Sequence, residues 1–354
     1  MTMTTSNRAK DLSIYVLPGR AADPTIALAE AADAEAAGFG GIYVSERLDV
    51  KDAAVVCGAL AATTDQLRVG TALIHQGTRH PLTLASMAAT LQLLSRGRFV
   101  LGLGRGLGAL APSLGVAKPT LASLEHLVTT VRRLWAGERI TETGPAGSFR
   151  GLRFTDLPGG PPPPILFGTI GPKGLELAGR IFDGVILHPF LTVEAVSKSV
   201  EIVRRAAEAA GRDPHDLRVV STLVAAPGLS ADREDIAVRA RAISYLQVRA
   251  LGELLVSAND WDPGVLSIIR DHPTLSGKGI ADTALTRDRL VDAAETIPAH
   301  WFDDGAATGS ALRCVERGLA YRAAGADEIL LHGTFPAEAA GMVRPWLDAT
   351  RQVS

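Results

Sequence analysis

The sequence has few of the features that mark secreted, disulfide-bonded or nucleic-acid-binding proteins. Its 354 residues include only two cysteines, Cys57 and Cys314. Neither lies in a CxxC or Cys/His metal spacing, so both are predicted to be small core residues, and no disulfide scaffold or metal site is predicted. The charges nearly cancel, with 36 Lys+Arg against 38 Asp+Glu and a formal net charge of −2. Because nucleic-acid-binding proteins normally concentrate a basic excess on one face, we expect no nucleic-acid partner.

Long apolar runs are also missing. Residues 1–13 lack the apolar stretch of a signal peptide, and no window approaches the ~18 consecutive apolar residues of a membrane span. We therefore expect a cytoplasmic protein without a membrane partner. The motifs HExxH, GxSxG and GxxxxGK(S/T) are absent from the sequence. Zinc hydrolase, serine hydrolase and P-loop functions consequently have no support.

What the sequence does contain is a short apolar strand followed by a helical pattern, repeated along the chain. The predicted strands lie at residues 12–17, 41–46, 67–74, 98–104, 165–169, 184–187, 217–224 and 328–331. None of them alternates strictly between apolar and polar residues, which is typical of a parallel sheet buried on both faces. Eight such units predict an α/β fold of the (β/α)8 TIM-barrel type. An open doubly wound sheet stays as the alternative, because sequence does not show closure.

Two segments interrupt this pattern. Residues 139–164, which end in GGPPPP, are predicted to be an ordered loop rather than a linker between two domains, because the strand-helix alternation resumes directly afterwards. Residues 233–290 are mainly helical and break the rhythm. We predict one domain over residues 1–354, with a helical insertion at approximately 228–305 before the last strand. In such a barrel the chemistry lies at the C-terminal mouth, where the strands end.

Several segments resemble one known family. Residues 38–47, 67–106, 163–187 and 320–333 are similar, in this order, to the luciferase-like flavin or F420-dependent oxidoreductases. The resemblance implies a TIM barrel that binds FMN or the deazaflavin F420 at its mouth, usually in a homodimer. It is strongest to the mycobacterial F420-dependent members, so F420 is the expected cofactor and FMN the alternative.

The function that this resemblance implies is hydride transfer between the deazaflavin and a small organic substrate. The protein would then be an F420-dependent oxidoreductase. One alternative is an FMN-dependent luciferase-like monooxygenase. Another is a non-catalytic protein that only binds a flavin or F420.

The end of the second predicted strand contains Ser45, Glu46 and Arg47, which should face the cofactor ring. In the well-understood F420-dependent dehydrogenases of the family this place resembles Asp-His, with the imidazole as general acid or base. An arginine does not deprotonate usefully, so that role does not carry over to Arg47. Arg47 is instead suited to stabilising negative charge on a reduced ring or an anionic substrate group. The alternative is a simple Glu46–Arg47 ion pair at the rim.

The third predicted strand contains the segment that the resemblance places behind the deazaflavin ring. It implies a β-bulge at Thr71, Ala72 and Leu73, with a non-prolyl cis peptide between Ala72 and Leu73. His75 follows two residues later. Its near-neutral pKa makes it the candidate proton donor or acceptor. A structural histidine bonded to a loop carbonyl is the alternative.

A glycine-rich run, GLGRGLG, follows the fourth predicted strand at residues 102–108. Gly104 and Gly106 are expected to let the backbone approach the edge of a flat ring. The run also fits the relaxed GxGxxA dinucleotide motif, but no convincing helix opens there as that motif requires. The family's F420-dependent sugar-phosphate dehydrogenases place a catalytic Glu after this loop. This chain has Leu107 there, which puts their substrate in doubt.

The loop after the fifth predicted strand is the candidate phosphate site. It consists of Gly168, Thr169, Ile170, Gly171, Pro172 and Lys173. Free backbone N–H groups and the positive end of a helix dipole favour an anion, and family members bind the cofactor phosphate here. Lys173 adds a positive charge. The alternative is that Gly-Pro is only an ordinary helix start.

Other candidates are less constrained by the sequence. His188 ends the sixth predicted strand and is expected to line the substrate side, whereas His332 has no identifiable partner. Tyr245 and Trp261 lie in the insertion. They are predicted either to cover the mouth or to be aromatic core residues.

Overall fold

The computed structural model of the chain describes residues 8–19, 23–106, 108–278 and 280–351. Its strands are β1 (Ala9–Val16), β2 (Phe39–Val44), β3 (Arg68–Thr71), β4 (Ile74–His75), β5 (Phe99–Gly104), β6 (Ile140–Gly144), β7 (Gly147–Leu152), β8 (Ile165–Thr169), β9 (Gly184–Leu187), β10 (Arg218–Pro227), β11 (Ala306–Gly309) and β12 (Glu328–His332).

The helices alternate with these strands. They are α1 (Ile26–Ala37), α2 (Ala53–Thr63), α3 (Pro81–Leu94), α4 (Ala111–Leu114), α5 (Leu121–Trp135), α6 (Pro172–Ile181), α7 (Val193–Ala209), α8 (Ala231–Glu234), α9 (Ala240–Leu246), α10 (Leu251–Ala258), α11 (Val265–Asp271), α12 (Ala281–Ala284), α13 (Ala299–Gly305), α14 (Ala311–Ala323), α15 (Pro336–Ala339) and α16 (Val343–Arg351). None of these helices has the length and apolarity that a membrane crossing requires.

Eight of the strands close into a ring. The order β1-β2-β3-β5-β8-β9-β10-β12 returns to β1, and every neighbouring pair is parallel. Ser13 of β1, for example, pairs with Gly41 on one side and with Leu330 on the other. The predicted (β/α)8 barrel is therefore confirmed, and an open sheet is excluded.

Apolar side chains fill both the inside of the barrel and the layer between strands and helices. The inner cluster contains Tyr15, Tyr43, Ala72, Val100, Leu166, Ile186, Val220 and Leu330. The outer layer includes the two cysteines, whose side chains are fully buried as predicted. The interior is thus a packed core, and space for a ligand can open only at the ends of the barrel.

Local capping signals set several helix starts. The Asp52 carboxylate accepts hydrogen bonds from the backbone N–H groups of Ala54 and Val55 at the start of α2. His80 caps α3, where Pro81 occupies the first turn and the Leu82 N–H donates to the imidazole. These caps orient the helices that follow β2 and β4, and with them the loops at the mouth.

A charged cluster closes the opposite, N-terminal end of the barrel. Glu328 begins β12, and its fully buried carboxylate lies 2.9 Å from Arg68 of β3 and 2.7 Å from Arg218 of β10. The Ser13 hydroxyl of β1 donates to the same carboxylate. Burial alone would raise the pKa of Glu328, but the two guanidiniums outweigh it and hold that pKa below its usual value. One carboxylate therefore ties four barrel strands together.

Two strand assignments differ from the sequence prediction. Residues 139–164 are not a loop throughout, because β6 and β7 form an antiparallel hairpin in which Thr143 pairs with Ser148. The short strand β11 was also not predicted, and it pairs only with the end of β10, from Val224 to Pro227. Neither element belongs to the ring, so the barrel and its mouth are unaffected.

The helices α8 to α13 lie between β10 and β11, where the insertion was predicted. A π-helical turn at Asp235–Arg239 leads into α9. Trp261 stacks on Trp301 with ring centroids 4.4 Å apart and an interplanar angle of 7°, and both side chains are buried. Trp261 is therefore an aromatic core residue of the insertion, which is one of the two roles predicted for it from the sequence.

Candidate active site

The segment after β3 has the backbone geometry that the resemblance implies. The peptide bond between Ala72 and Leu73 is cis. The Tyr15 hydroxyl donates to the Ala72 carbonyl oxygen at 3.1 Å. The Thr71 hydroxyl donates to the Gly102 carbonyl oxygen and accepts from the Gly102 N–H, both at 2.9 Å. These contacts fix the segment between β1 and β5 at the mouth.

Glycines surround the Leu73 side chain. If Gly168 carried a side chain, its Cβ atom would lie 2.0 Å from Leu73 Cδ1. A Cβ atom added at Gly104 would lie 3.1 Å from the same Leu73 atom. Backbone, rather than side chains, therefore faces this part of the mouth from β5 and β8. Leu107 falls outside the described residues.

The structure pairs Glu46 with Arg79. The two side chains are 2.5 Å apart, and the second carboxylate oxygen of Glu46 accepts the His75 backbone N–H at 3.2 Å. Arg79 also reaches Asp52, at 2.6 Å. Burial raises the pKa of Glu46, although Arg79 opposes this. Glu46 thus holds the strand that carries His75. Arg47 and Ser45 are both half-buried beside it.

The His75 imidazole packs against Gly106, whose φ is +82°. A Cβ at Gly106 would lie 2.9 Å from His75 Nδ1. Burial, with the nearby guanidiniums of Arg47 and Arg79, lowers the pKa of His75 below its usual value. At neutral pH the imidazole is therefore uncharged and able to accept a proton.

Gly106→Ala is expected to lower the free energy of unfolding by about 1–2 kcal/mol for the left-handed backbone alone, and to displace His75. Gly97→Ala is the matched control, because Gly97 has φ +84° and nothing within 4 Å of the added Cβ. Urea unfolding gives the stability of both variants, and NMR reports the His75 ring. Equal destabilisation with an unchanged His75 signal would contradict the proposed contact.

The opposite wall of the mouth contains a group of side chains that sequence analysis did not bring together. His332 ends β12, and its ring lies 4.3 Å from the Tyr15 ring. His332 Nε2 lies 2.7 Å from Arg241 Nη1 and 3.2 Å from the Tyr245 hydroxyl. Both partners come from the α9 region of the insertion, which is 87 to 91 residues away in sequence. Tyr245 therefore lies at the mouth.

Burial holds the pKa of His332 well below its usual value, and the guanidiniums of Arg241, Arg287 and Arg47 add to this effect. His188 follows β9, and its ring packs edge-on against Tyr245 at 4.7 Å. Its Nδ1 lies 2.8 Å from the Pro189 carbonyl oxygen. Burial lowers the pKa of His188 to about 4. Both histidines are consequently neutral at pH 7.

The loop from β8 to α6 is arranged as a helix N-terminus. Gly171 is the residue before the first turn, Pro172 begins the helix, and the first turn contains no acidic residue. Lys173 is exposed, whereas Ile170 is buried. A Cβ at Gly174 would lie 2.0 Å from Thr169 Oγ1. The Thr169 side chain therefore lies against the first turn of α6.

The insertion approaches this loop as well. A Cβ at Gly171 would lie 3.1 Å from a methyl group of Leu254 in α10. After Gly106, the described chain forms a 3-10 helix at Gly108–Leu110 and then the four-residue helix α4. This short helix does not fit the dinucleotide motif, which requires a full helix directly after its glycines.

Fold and mouth together define a closed (β/α)8 barrel whose functional face is built from the loops after its strands. The chain belongs to the luciferase-like monooxygenase family, whose model matches residues 8–328. The family resemblance seen in the sequence is thereby confirmed.

Three known proteins show how close these similarities are. The chain is 31% identical over 204 residues to a 5,10-methylenetetrahydromethanopterin reductase of Methanolobus tindarius, covering 56% of this chain and 61% of that protein. It is 34% identical over 166 residues to an F420-dependent glucose-6-phosphate dehydrogenase of Microbacterium testaceum, covering 43% and 49%. The match therefore spans about half to three-fifths of these relatives.

Among solved structures, the fold is similar to that of a coenzyme F420 dependent tetrahydromethanopterin reductase from Methanopyrus kandleri. The TM-score is 0.77 at 19% identity, covering 94% of this chain and 96% of that one. This likeness supports the barrel over nearly its whole length.

Proposed function

We propose that the protein is an F420-dependent oxidoreductase that transfers a hydride between the deazaflavin and a small organic substrate. The observation that carries this proposal is the mouth at Leu73, whose side chain packs against Gly104 and Gly168, so that β5 and β8 end beside it in backbone without side chains of their own. The names of two of the similar proteins, which describe F420-dependent enzymes, support the choice of cofactor.

The residues at the mouth fit such a cofactor in two parts. A ring would contact Ser45, Thr71, Ala72, Leu73, Gly104 and Gly106. A phosphate arm would be held by Gly168, Thr169, Ile170, Gly171, Pro172 and Lys173, where the helix N-terminus of α6 and the Lys173 charge favour an anion. When bound, the cofactor supplies the two-electron hydride chemistry, and the protein supplies orientation and electrostatics.

We assign three residues to the reaction beside the ring. His75 is neutral at pH 7 and is proposed to exchange a proton with the substrate. Arg47 is proposed to stabilise developing negative charge. Glu46, through its contact with the His75 backbone and its pair with Arg79, is proposed to hold His75 in place.

The family description favours a second candidate, an FMN-dependent monooxygenase. By resemblance we further propose that the chain works as a cytoplasmic homodimer, with residues 1–354 as one domain and an insertion at approximately 228–305.

Fluorescence titration with F420 and with FMN separates the two cofactors, and failure to bind either contradicts the proposal. A bound cofactor that no donor or acceptor reduces or oxidises would indicate a non-catalytic binder.

Lys173→Glu is expected to raise the Kd for F420 at least tenfold, because it places a negative charge beside the proposed phosphate. The Kd for a deazaflavin that lacks the phosphate arm should stay unchanged. Lys198→Glu is the control, since Lys198 is an exposed lysine of α7 paired with Asp260. Equal weakening of both ligands by Lys173→Glu would contradict the phosphate assignment.

A further inference from the structure

The two ring nitrogens of His332 differ in their hydrogen bonding. A guanidinium has only donors, so Arg241 Nη1, at 2.7 Å, must donate to His332 Nε2. A neutral imidazole whose Nε2 accepts carries its proton on Nδ1. His332 Nδ1 is buried and has no hydrogen-bond partner within the residues that the structure describes. The Nδ1–H is therefore a preformed donor that the described residues leave unsatisfied.

This donor lies close to the proposed cofactor ring. The His332 ring packs against the Tyr15 ring at a tilt of 43°, with ring centroids 4.3 Å apart, and the Tyr15 hydroxyl donates to the Ala72 carbonyl oxygen. The charged groups with the largest effects on His332 are the guanidiniums of Arg241, Arg287 and Arg47, and His188 is its neutral neighbour. A neutral donor with guanidinium groups nearby suits an oxygen that becomes negative during a reaction.

We propose that His332 Nδ1–H binds the carbonyl oxygen of the substrate, which makes the substrate a ketone or aldehyde in one direction and an alcohol in the other. This inference rests on the proposed function, which supplies the reduced deazaflavin as hydride donor. A carbonyl oxygen only accepts hydrogen bonds, so it matches the Nδ1–H donor of His332, which the described part of the chain leaves unpaired.

The electron balance of this step is simple. The donating C–H bond of the reduced deazaflavin breaks, and its hydrogen and electron pair form the new C–H bond at the carbonyl carbon, which leaves the deazaflavin oxidised. The C–O π bond breaks, and its electron pair moves to the oxygen, which becomes an alkoxide. The proton that gives the alcohol comes from solvent through His75, the residue proposed above to exchange a proton with the substrate, and His332 keeps its Nδ1 proton. His332 acts as a hydrogen-bond donor throughout, as a neutral histidine can in other enzymes.

The first test is spectroscopic and needs no cofactor. In the full-length protein labelled with 15N-histidine, the His332 signal, assigned by its loss in His332→Asn, should show the neutral Nδ1–H form from pH 8 to pH 6. Addition of cyclohexanone or benzaldehyde should shift that Nδ1 signal. An Nε2–H form, or no shift with either carbonyl probe, would overturn the proposal.

The second test is kinetic. His332→Leu should lower kcat/KM for carbonyl reduction by reduced F420 about 100-fold, the loss expected for one donor to a developing oxyanion, with less than threefold change in the Kd for F420. His332→Asn, which retains an N–H near the Nδ1 position, should recover at least tenfold. His126→Asn is the control, since His126 pairs with Glu142 on α5 and β6.

The outcomes separate this proposal from the one on which it rests. Reduction of a cyclic imine but of neither carbonyl probe would overturn the His332 role and leave the F420 assignment in place. Absence of F420 binding would contradict the proposed function, while the tautomer and the carbonyl-induced shift would still decide the role of His332.

Discussion

Replacing Glu328 by alanine is expected to lower the free energy of unfolding by about 3–5 kcal/mol, the usual loss when one partner of a buried ion pair is removed. The carboxylate is fully buried and contacts Arg68 at 2.9 Å and Arg218 at 2.7 Å. Its removal leaves both guanidiniums at the N-terminal end of the barrel without their shared counter-charge, and the Ser13 hydroxyl without an acceptor. Urea unfolding at pH 7 measures the loss.

Glu201→Ala is the matched control for this prediction. Glu201 and Arg205 form an exposed ion pair at 3.6 Å on α7, and pairs of this kind contribute at most about 0.5 kcal/mol. Glu328→Gln separates the effect of the charge from that of side-chain size, because glutamine is uncharged and nearly the same size as glutamate. A loss for Glu328→Ala no larger than that for Glu201→Ala would show that the cluster is not needed for stability.

The barrel strands follow from local sequence patterns. The apolar runs at 41–46 and 184–187 predict strands, and the structure places β2 at Phe39–Val44 and β9 at Gly184–Leu187. A strand buried on both faces has a continuous apolar pattern that does not depend on distant partners. The helix caps at Asp52 and His80 are local in the same sense, since each side chain accepts from backbone N–H groups two or three residues away.

Elements that depend on pairing rather than on burial were missed. In β6 only Ile140 is fully buried, and its other residues are polar or glycine, as in a loop. In β11 the residues are alanine, threonine and glycine, and its pairing with the end of β10 is not visible locally. Such strands are defined by cross-strand contacts, which a single sequence does not display.

The two sides of the candidate site differ in the same way. The cis bond at Ala72–Leu73 was predicted because a family resemblance covers that segment. The group around His332 was not, because Arg241 and Tyr245 come from the insertion, where the resemblance fades. The helical spacing of 241 and 245 places both on one face of α9. Which strand that face would meet is decided only by the tertiary fold.

The stability of the protein is expected to fall between pH 7 and pH 5, by about 2 kcal/mol from His188 alone and further because His332 and His75 are also held neutral at the mouth. Burial lowers the pKa of His188 to about 4 and that of His332 well below its usual value. In the unfolded chain both groups titrate near 6.5. Below that pH the unfolded state binds more protons, so stability is present above pH 6.5 and is lost as pH falls.

Urea unfolding at pH 7, 6 and 5, followed by tryptophan fluorescence, measures this slope. Each histidine contributes up to about 1.4 kcal/mol per pH unit, so His332→Asn should reduce the slope by up to that amount. Glu46 acts in the opposite direction, because burial raises its pKa. Glu328 adds to the loss of stability only at lower pH, where its carboxylate begins to be protonated, because its pKa is held below the usual value. A stability that is flat from pH 7 to pH 5, or a slope that His332→Asn leaves intact, would mean that the mouth histidines are solvated and able to charge. The neutral donor proposed at His332 would then fail with them.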